Sequence, residues 1–229
     1  MIERPDNLTD LVFAAIRRRL VEASLPPGSS VSEAMLSKDL QVSKTPVREA
    51  LLQLRHIGLV ESTGRGLRVV VPTARIIRDA FEMRAGLEAA AARYAAARAT
   101  REQKAELVRL AQASVEVADD FEAFREADTT FHLAIAAAAD NAMLHKAVGD
   151  AVVLTQVLRQ RDVHLVRDFG PDGKEHASIA RALKSGDGAT AADRLSGHIL
   201  RIMEQLLQAF AQEAEGAAEL RPSGLRSLV

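Results

Sequence analysis

The sequence contains no cysteine among its 229 residues. A chain without thiols forms no disulfide, thiolate metal site or iron–sulfur cluster, and it has no cysteine nucleophile. Any bound metal must therefore be held by His, Asp or Glu. Tryptophan is also absent and aromatic residues make up 3% of the chain, so we expect a core built mainly from Leu, Val, Ile and Ala.

Long apolar runs are missing as well. No run approaches the ~20 residues that span a bilayer, and the N-terminal stretch MIERPDNLTD lacks the apolar core of a signal peptide. Apolar residues make up 48% and charged residues 27% of the chain, with a formal net charge of −1. This composition is typical of a soluble globular protein. We therefore expect a cytoplasmic protein of one or two domains with no membrane partner.

The first part of the chain shows the pattern of three short helices. Apolar residues recur at helical spacing over 8–20, and Pro26-Pro27-Gly28 ends this helix. A second helix is predicted after Ser30, which precedes Glu33 at the spacing of a capping box. A third helix carries Pro46 in its first turn, where a missing N–H costs nothing.

A strand pattern follows the third helix. Residues 59–62 and 67–71 are rich in Leu and Val and flank the turn Thr63-Gly64-Arg65-Gly66, which predicts a β-hairpin. Three helices and a hairpin together predict a winged helix-turn-helix domain over residues 1–72.

From residue 73 onward the chain is rich in alanine and helical in pattern. Polar and glycine-containing breaks predict six helices, at about 74–98, 101–117, 119–139, 141–165, 173–185 and 188–215. This part is predicted to be an all-α antiparallel helical bundle over 73–215, followed by a flexible tail over 216–229. The fold class is therefore mainly α.

The turn and the start of the third helix carry residues suited to DNA recognition. The second helix of a helix-turn-helix enters the major groove with its N-terminal end. Lys44 and Arg48 are four residues apart and share one face there, while Ser43 and Thr45 can contact phosphates. Arg65 stands between two glycines at the tip of the hairpin. A lone Lys/Arg pair is more often only solvated, but its combination with the turn, the proline and the hairpin favours DNA binding.

Residues 8–72 resemble the winged-helix domain of the GntR family of bacterial transcription regulators. The segment Val42-Ser43-Lys44-Thr45-Pro46-Val47-Arg48-Glu49-Ala50-Leu51 and the wing Gly64-Arg65-Gly66 follow the family signature. The resemblance implies operator contacts by Lys44, Thr45, Arg48, Arg65 and Gly66. Ala34 and Lys44 stand where the family usually has arginine, so the operator sequence of relatives does not transfer to this chain.

A second set of residues could bind a metal ion. Asp128 and His132 lie four residues apart on one helical face, and His176 and His198 lie on two later helices. One carboxylate and three imidazoles that meet in a bundle core can bind a first-row divalent metal. The alternative is that these are ordinary packed or solvated side chains.

Residues 76–215 resemble the FCD effector domain of the FadR subfamily of GntR regulators, and six helices favour its VanR-like branch. The resemblance implies that Asp128, His132, His176 and His198 are the metal ligands. It also implies that Arg84 lines an effector cavity, where a guanidinium can bind a carboxylate bidentately. The alternative for Arg84 is an intrahelical ion pair with Glu88.

These observations lead to a hypothesis about function. We expect a DNA-binding transcriptional regulator, acting as a repressor and a homodimer on double-stranded operator DNA. It would hold one divalent transition metal per chain, with zinc as first choice and nickel, manganese or iron as alternatives, and would sense a small organic acid. Two other hypotheses remain open: a metal-dependent hydrolase or isomerase, and a regulator whose metal is only structural.

Overall fold

The computed structural model describes residues 8–64, 66–159 and 169–219, and for 213–219 only the backbone. Its N-terminal part contains α1 (Leu8–Val21), β1 (Ser30–Val31), α2 (Glu33–Leu40), α3 (Lys44–His56), β2 (Val60–Thr63) and β3 (Gly66–Val69). The three predicted helices and the hairpin are present, which confirms the winged helix-turn-helix. Thr63 pairs with Gly66 across the hairpin.

The wing differs from the prediction by one strand. Ser30 and Val31 form β1, which pairs antiparallel with β3, so the sheet has three strands in the order β1-β3-β2. A strand of two residues is too short to show alternation in the sequence. The cap of α2 is also different, because the Ser32 side chain, and not that of Ser30, accepts a hydrogen bond from the backbone N–H of Met35.

Helix α3 is held in place by its apolar stripe. It packs against α1, and the predicted stripe is fully buried with the facing residues of α1: Val47, Ala50, Leu51 and Leu54 with Val12, Ile16 and Leu20. Burial of such side chains contributes ~1.5–3 kcal/mol each. The opposite face of α3 remains exposed.

The C-terminal part is a bundle of helices: α4 (Ala74–Arg98), α5 (Arg101–Glu116), α6 (Phe121–Ala138), α7 (Ala142–Leu158), α8 (Gly170–Ser185) and α9 (Gly188–Glu219). Helix α8 begins three residues before the predicted start at about 173, because Pro171 lies in the first turn, where proline fits a helix. The segment 160–165 of the predicted fourth bundle helix lies outside the described residues. Within the described ranges, no helix has the length and hydropathy to cross a membrane.

Helix α4 lies at the centre of the bundle and packs against α6, α7, α8 and α9. Its buried residues are mostly alanines, whose small side chains let the neighbouring helices approach closely. The apolar core continues from this bundle into the winged helix. Helix α1 contacts α7, and a Cβ on Gly58 would lie 3.8 Å from Leu154 Cδ2 of α7.

Helices α5 and α8 approach each other closely at Gly173 of α8. A Cβ atom there would lie 3.0 Å from Val115 Cα and 3.2 Å from the Ser114 carbonyl oxygen, both on α5. Neither backbone atom can rotate away as a flexible side chain would. Glycine at this position therefore sets the distance between α5 and α8.

We expect Gly173→Ala to lower the free energy of unfolding by ~1–3 kcal/mol, because the added methyl group forces α5 and α8 apart. The matched control is Gly149→Ala on α7, where a Cβ would be in ordinary contact, 3.9 Å from Leu133 Cδ2. The control substitution should raise the free energy of unfolding by ~0.5–1 kcal/mol, because alanine has a higher helix propensity than glycine. Urea unfolding measures both, and equal effects of the two variants would contradict the close approach.

Candidate DNA-binding surface and metal centre

The start of α3 presents the predicted DNA-binding residues to solvent. Ser43 is the N-cap residue, and its side chain makes no capping hydrogen bond. Ser43, Lys44, Thr45 and Arg48 are exposed, while Pro46 and Val47 between them are buried. The buried pair anchors the first turn, so the four polar side chains share an outward face beside unpaired helix N–H groups, which attract phosphates.

Arg48 has a partner that the sequence did not indicate. Its Nε and Nη2 donate to the two carboxylate oxygens of Glu33 on α2, each at 2.9 Å. The hydrogen bonds from Arg48 lower the pKa of Glu33. The Arg48 side chain is still 63% exposed, so this pair orients the guanidinium without removing it from the surface.

The wing contributes Gly66 to the same candidate surface. Gly66 is exposed and has a φ of +130°, a backbone conformation that favours glycine. The hydroxyl of Thr63 donates to its carbonyl oxygen at 3.1 Å. Arg65, the other predicted wing residue, lies outside the described residues.

The four predicted metal ligands meet in the bundle. Asp128 and His132 come from α6, His176 from α8 and His198 from α9, and all four are buried. One ligand atom of each lies within 4.8 Å of the others. Asp128 Oδ1 lies 3.4 Å from His176 Nε2 and 3.5 Å from His132 Nε2, and the Nε2 atoms of His176 and His198 are 3.3 Å apart.

Each imidazole is oriented by a partner on its other nitrogen. Glu88 of α4 contacts His132 Nδ1, and Ser114 Oγ of α5 lies 3.0 Å from His176 Nδ1. Glu175 of α8 lies 2.6 Å from His198 Nδ1. Metal-bound histidines almost always have such a partner, which fixes the tautomer and the ring orientation.

The hydrogen bonds of Ser114 show which nitrogen of His176 carries the proton. The serine hydroxyl donates to the carbonyl oxygen of Ala111 at 3.0 Å, so it accepts from His176 Nδ1–H. The Nε2 lone pair of His176 therefore faces that of His198. His132 Nε2 is buried without a hydrogen-bond partner among the described residues. Converging lone pairs beside a buried carboxylate are unfavourable unless a cation lies between them, so the residues fit a metal ion.

The electrostatics of the cluster agree with this geometry. Burial raises the pKa of Glu88, but His132 and Arg84 outweigh this and lower it to about 2. Burial opposes protonation of His132, yet the charges of Glu88 and Asp128 raise its pKa to about 9. Burial lowers the pKa of His198 to about 4. The carboxylates thus stay ionised and favour positive charge at the centre.

Arg84 lies behind this cluster. It is 2% exposed, and its Nε donates to Glu88 Oε1 at 2.6 Å and its Nη1 to Thr155 Oγ1 of α7 at 3.1 Å. The intrahelical ion pair with Glu88 is therefore present. Because Glu88 also contacts His132, Arg84 is connected to the candidate metal ligands through a carboxylate.

Two further carboxylates near the cluster, those of Asp172 and Glu175, are paired with an arginine. Arg201 of α9 donates to Asp172 through Nη2, and to Glu175 through Nε at 2.9 Å and Nη2 at 2.6 Å. Since Glu175 also contacts His198, Arg201 supports one of the candidate ligands. Ser114 and Glu88 are polar residues among the buried, mostly apolar residues of their helices, and this pattern is a weak signal in the sequence for such partners.

Two family models match the chain. Residues 8–69 match "Bacterial regulatory proteins, gntR family", and residues 79–201 match the FCD domain. A probable D-xylose utilization operon transcriptional repressor of Paenarthrobacter nicotinovorans is 34% identical over 79% of this chain and 80% of its own length. The HTH-type transcriptional repressor RspR of Escherichia coli K12 is 26% identical over 91% of this chain and 92% of its own length.

Solved structures agree with the fold. A putative GntR transcriptional regulator from Rhodococcus sp. RHA1 is 26% identical, with a TM-score of 0.71 over 88% of this chain and 98% of that chain. E. coli McbR/YncC is 22% identical, with a TM-score of 0.77 over 90% of this chain and all of that chain. The family and these relatives are regulators and not enzymes, which does not support a hydrolase or isomerase. The chain belongs to the GntR family, carries an FCD domain, and is a ligand-responsive DNA-binding regulator of transcription.

Proposed function

We propose that this protein is a repressor that binds a divalent metal in its FCD domain and releases its operator when a small organic acid binds. The observation that carries the proposal is the convergence of three imidazole Nε2 atoms and Asp128 Oδ1, with each Nδ1 held by another side chain. Repression is proposed because two relatives carry that word in their names.

Zinc is the proposed metal, with Asp128, His132, His176 and His198 as its ligands. Three imidazoles, each neutral when it binds a metal, and one carboxylate suit zinc, and they also accept nickel, manganese or iron. The bound ion would supply a Lewis-acidic position for an effector carboxylate. A purely structural role for the metal is the second candidate, because the cluster joins α6, α8 and α9.

Operator recognition is assigned to two elements. In α3, Lys44 and Arg48 would contact base edges while Ser43 and Thr45 contact phosphates; in the wing, Arg65 and Gly66 would approach the adjacent groove or backbone. One recognition helix gives little affinity alone, so the protein would act as a homodimer on a pseudo-palindrome. Such a regulator acts in the bacterial cytoplasm, where its DNA is.

The proposed domain limits are 1–72 for the winged helix, 73–215 for the effector domain and 216–229 for a tail, within the VanR-like branch of the FadR subfamily. Thr73 supports the first limit, since its side chain caps α4. Effector binding by Arg84 stays a prediction. Its guanidinium is bound to Glu88 and Thr155, so an effector carboxylate would have to compete with Glu88.

Metal content tests the candidate centre directly. We expect one divalent ion per chain in the purified protein by elemental analysis, and its loss in His176→Ala, because that variant removes one ligand of four. His145→Ala is the control, since His145 is exposed on α7 and should leave the metal content unchanged.

Absence of metal from the wild type after reconstitution would contradict the proposal. If the metal is present, dialysis against a chelator then distinguishes a role in effector sensing from a purely structural role. Retained helicity by circular dichroism supports sensing, whereas unfolding supports the structural role.

Ser114 should matter to the metal although it does not touch it. Ser114→Ala removes the acceptor for His176 Nδ1–H, so we expect metal affinity to fall ~10–100-fold in a competition titration with a chelating dye. Thr130→Ala is the matched control, because the hydroxyls of Ser114 and Thr130 both donate to the backbone carbonyl four residues back, that of Leu110 at 3.2 Å and that of Glu126 at 2.8 Å, but Thr130 is exposed. Equal metal affinities of the two variants would contradict the role of Ser114 as the hydrogen-bond partner that orients His176.

Arg48→Ala should weaken binding to a duplex selected by the wild type from a random-sequence pool by ~10–100-fold, as expected for loss of one bidentate base contact. In this variant the Glu33 carboxylate also loses the Arg48 guanidinium that pairs with it, so it would repel the phosphates of the DNA. Arg109→Ala is the control, because Arg109 also pairs with a nearby glutamate, Glu106, but on α5. Unchanged affinity of Arg48→Ala in a fluorescence anisotropy titration would refute the recognition-helix assignment.

A further inference from the structure

A cavity of about 320 Å³ lies where the winged helix meets the bundle. This volume is at the lower end of the range for small-molecule sites. Its walls come from the end of α1, the first half of α6, the end of α7 and the start of α8. The residues that carry the argument are Val21, Ala23, Phe121, Phe124, Arg125 and Phe169.

One wall of the cavity is aromatic. The rings of Phe124 and Phe169 stack with centroids 4.7 Å apart, and Phe121 lies 5.8 Å from Phe169. Three of the seven phenylalanines of the chain are therefore gathered here. Phe124 also stacks on His176, at 6.1 Å. This wall suits a flat apolar body and is backed by the metal cluster.

The charged lining of the cavity consists of Arg125 and Arg159 together with the carboxylates of Glu22, Glu122 and Asp128. Arg125 is the candidate partner for a ligand carboxylate, and both its Nε and its Nη2 donate to a single oxygen of Glu122, at 3.1 and 2.6 Å. The Glu122 side chain is 68% exposed, and exposed pairs of this kind are weak. A ligand carboxylate that offers one oxygen to each nitrogen makes the better, bidentate arrangement. It can therefore displace Glu122.

The remaining wall belongs to the helix-turn-helix unit. Val21 is the last residue of α1, and Ala23 has a φ of +56°, which is uncommon for a residue other than glycine. Both line the cavity opposite α6 and α7. A molecule in the cavity would therefore contact the DNA-binding unit and the FCD domain at the same time.

We propose that this inter-domain cavity is the effector site, that it takes a small carboxylate with a flat apolar ring, and that contact with Val21 and Ala23 transmits its occupancy to the DNA-binding unit. The inference rests on the proposed function, which requires an organic-acid effector, and it places the effector carboxylate on Arg125 of this cavity instead of on the metal ion or Arg84. A ligand shifts a conformational equilibrium only through different contacts in the two states, and a wall shared by both units provides such contacts.

Calorimetric titration of the metal-loaded full-length protein tests the site, with benzoate as the probe. Benzyl alcohol has the ring without the charge, and acetate has the charge without the ring. We expect saturable binding of benzoate, and binding at least about tenfold weaker for both comparison compounds. Equal binding of acetate, or no saturable binding of benzoate, would overturn the proposed ligand class.

Arg125→Gln tests the carboxylate contact and should weaken benzoate binding by at least about tenfold. The matched control is Arg109→Gln, which breaks the equivalent surface pair with Glu106 and should leave benzoate affinity unchanged. Equal effects of the two variants would overturn the role of Arg125.

Val21→Ala tests the coupling to the DNA-binding unit. We expect it to reduce benzoate affinity severalfold, and to reduce the change in affinity for the selected duplex that saturating benzoate causes in the wild type, because the two effects are thermodynamically linked. An unchanged benzoate affinity together with an unchanged effect on DNA would overturn the coupling.

Metal content and DNA affinity are measured on the same preparations, which separates this inference from the function on which it rests. If metal and DNA both bind but benzoate does not, the cavity assignment fails and the metal-containing repressor stands. If metal is absent from the wild type, the proposed function itself fails.

Discussion

The rest of this structure depends on one electrostatic constraint. Lone pairs of buried histidine side chains point toward one another in the interior of the helical bundle. Nε2 of His176 and Nε2 of His198 lie 3.3 Å apart beside the carboxylate of Asp128. Such an arrangement is stable in an apolar interior only with a positive charge between the donors. The surrounding partners hold the rings from α4, α5 and α8. Together with α6 and α9, which carry ligands, five of the bundle helices are tied to one point.

This constraint explains features that lie outside the cluster. The α5 contact of His176 requires α5 and α8 to approach closely, which the absence of a side chain at Gly173 permits. Arg84 links Glu88 to Thr155 of α7, and α7 in turn contacts α1 of the winged helix. A continuous set of packed and hydrogen-bonded groups thus joins the metal cluster to the DNA-binding unit. Coupling energy between two sites is carried by such physical contacts.

Much of the fold and part of the site could be predicted from the sequence. Helical periodicity and breaks predicted the observed limits of α4. Residue types and spacing indicated the four candidate ligands, and the resemblance to FCD domains then favoured them over ordinary packed side chains. The spacing of residues along the chain does not show which residues of other helices or strands contact them. The strand β1 is two residues long, so only its pairing with β3 reveals it. The roles of Ser114 and Arg201 depend on which helices pack together, and Glu33 is far from Arg48 in sequence. Local sequence patterns therefore predict the helices and the candidate ligands. The side chains that hydrogen-bond to those ligands are determined by tertiary packing.

The pair between Glu33 and Arg48 shows how such a support can set specificity. A guanidinium has two edges that bind bidentately, and Glu33 occupies the edge formed by Nε and Nη2. The edge formed by Nη1 and Nη2 is left for two acceptors such as N7 and O6 of guanine. At the same time, the carboxylate cancels much of the charge with which Arg48 would attract any phosphate. Non-specific affinity arises mainly from phosphate neutralisation, so in the proposed interface the pair would weaken binding to arbitrary DNA and keep an oriented group for base recognition. Ser43, Thr45 and the N–H groups at the start of α3 would then supply the phosphate contacts that Arg48 does not.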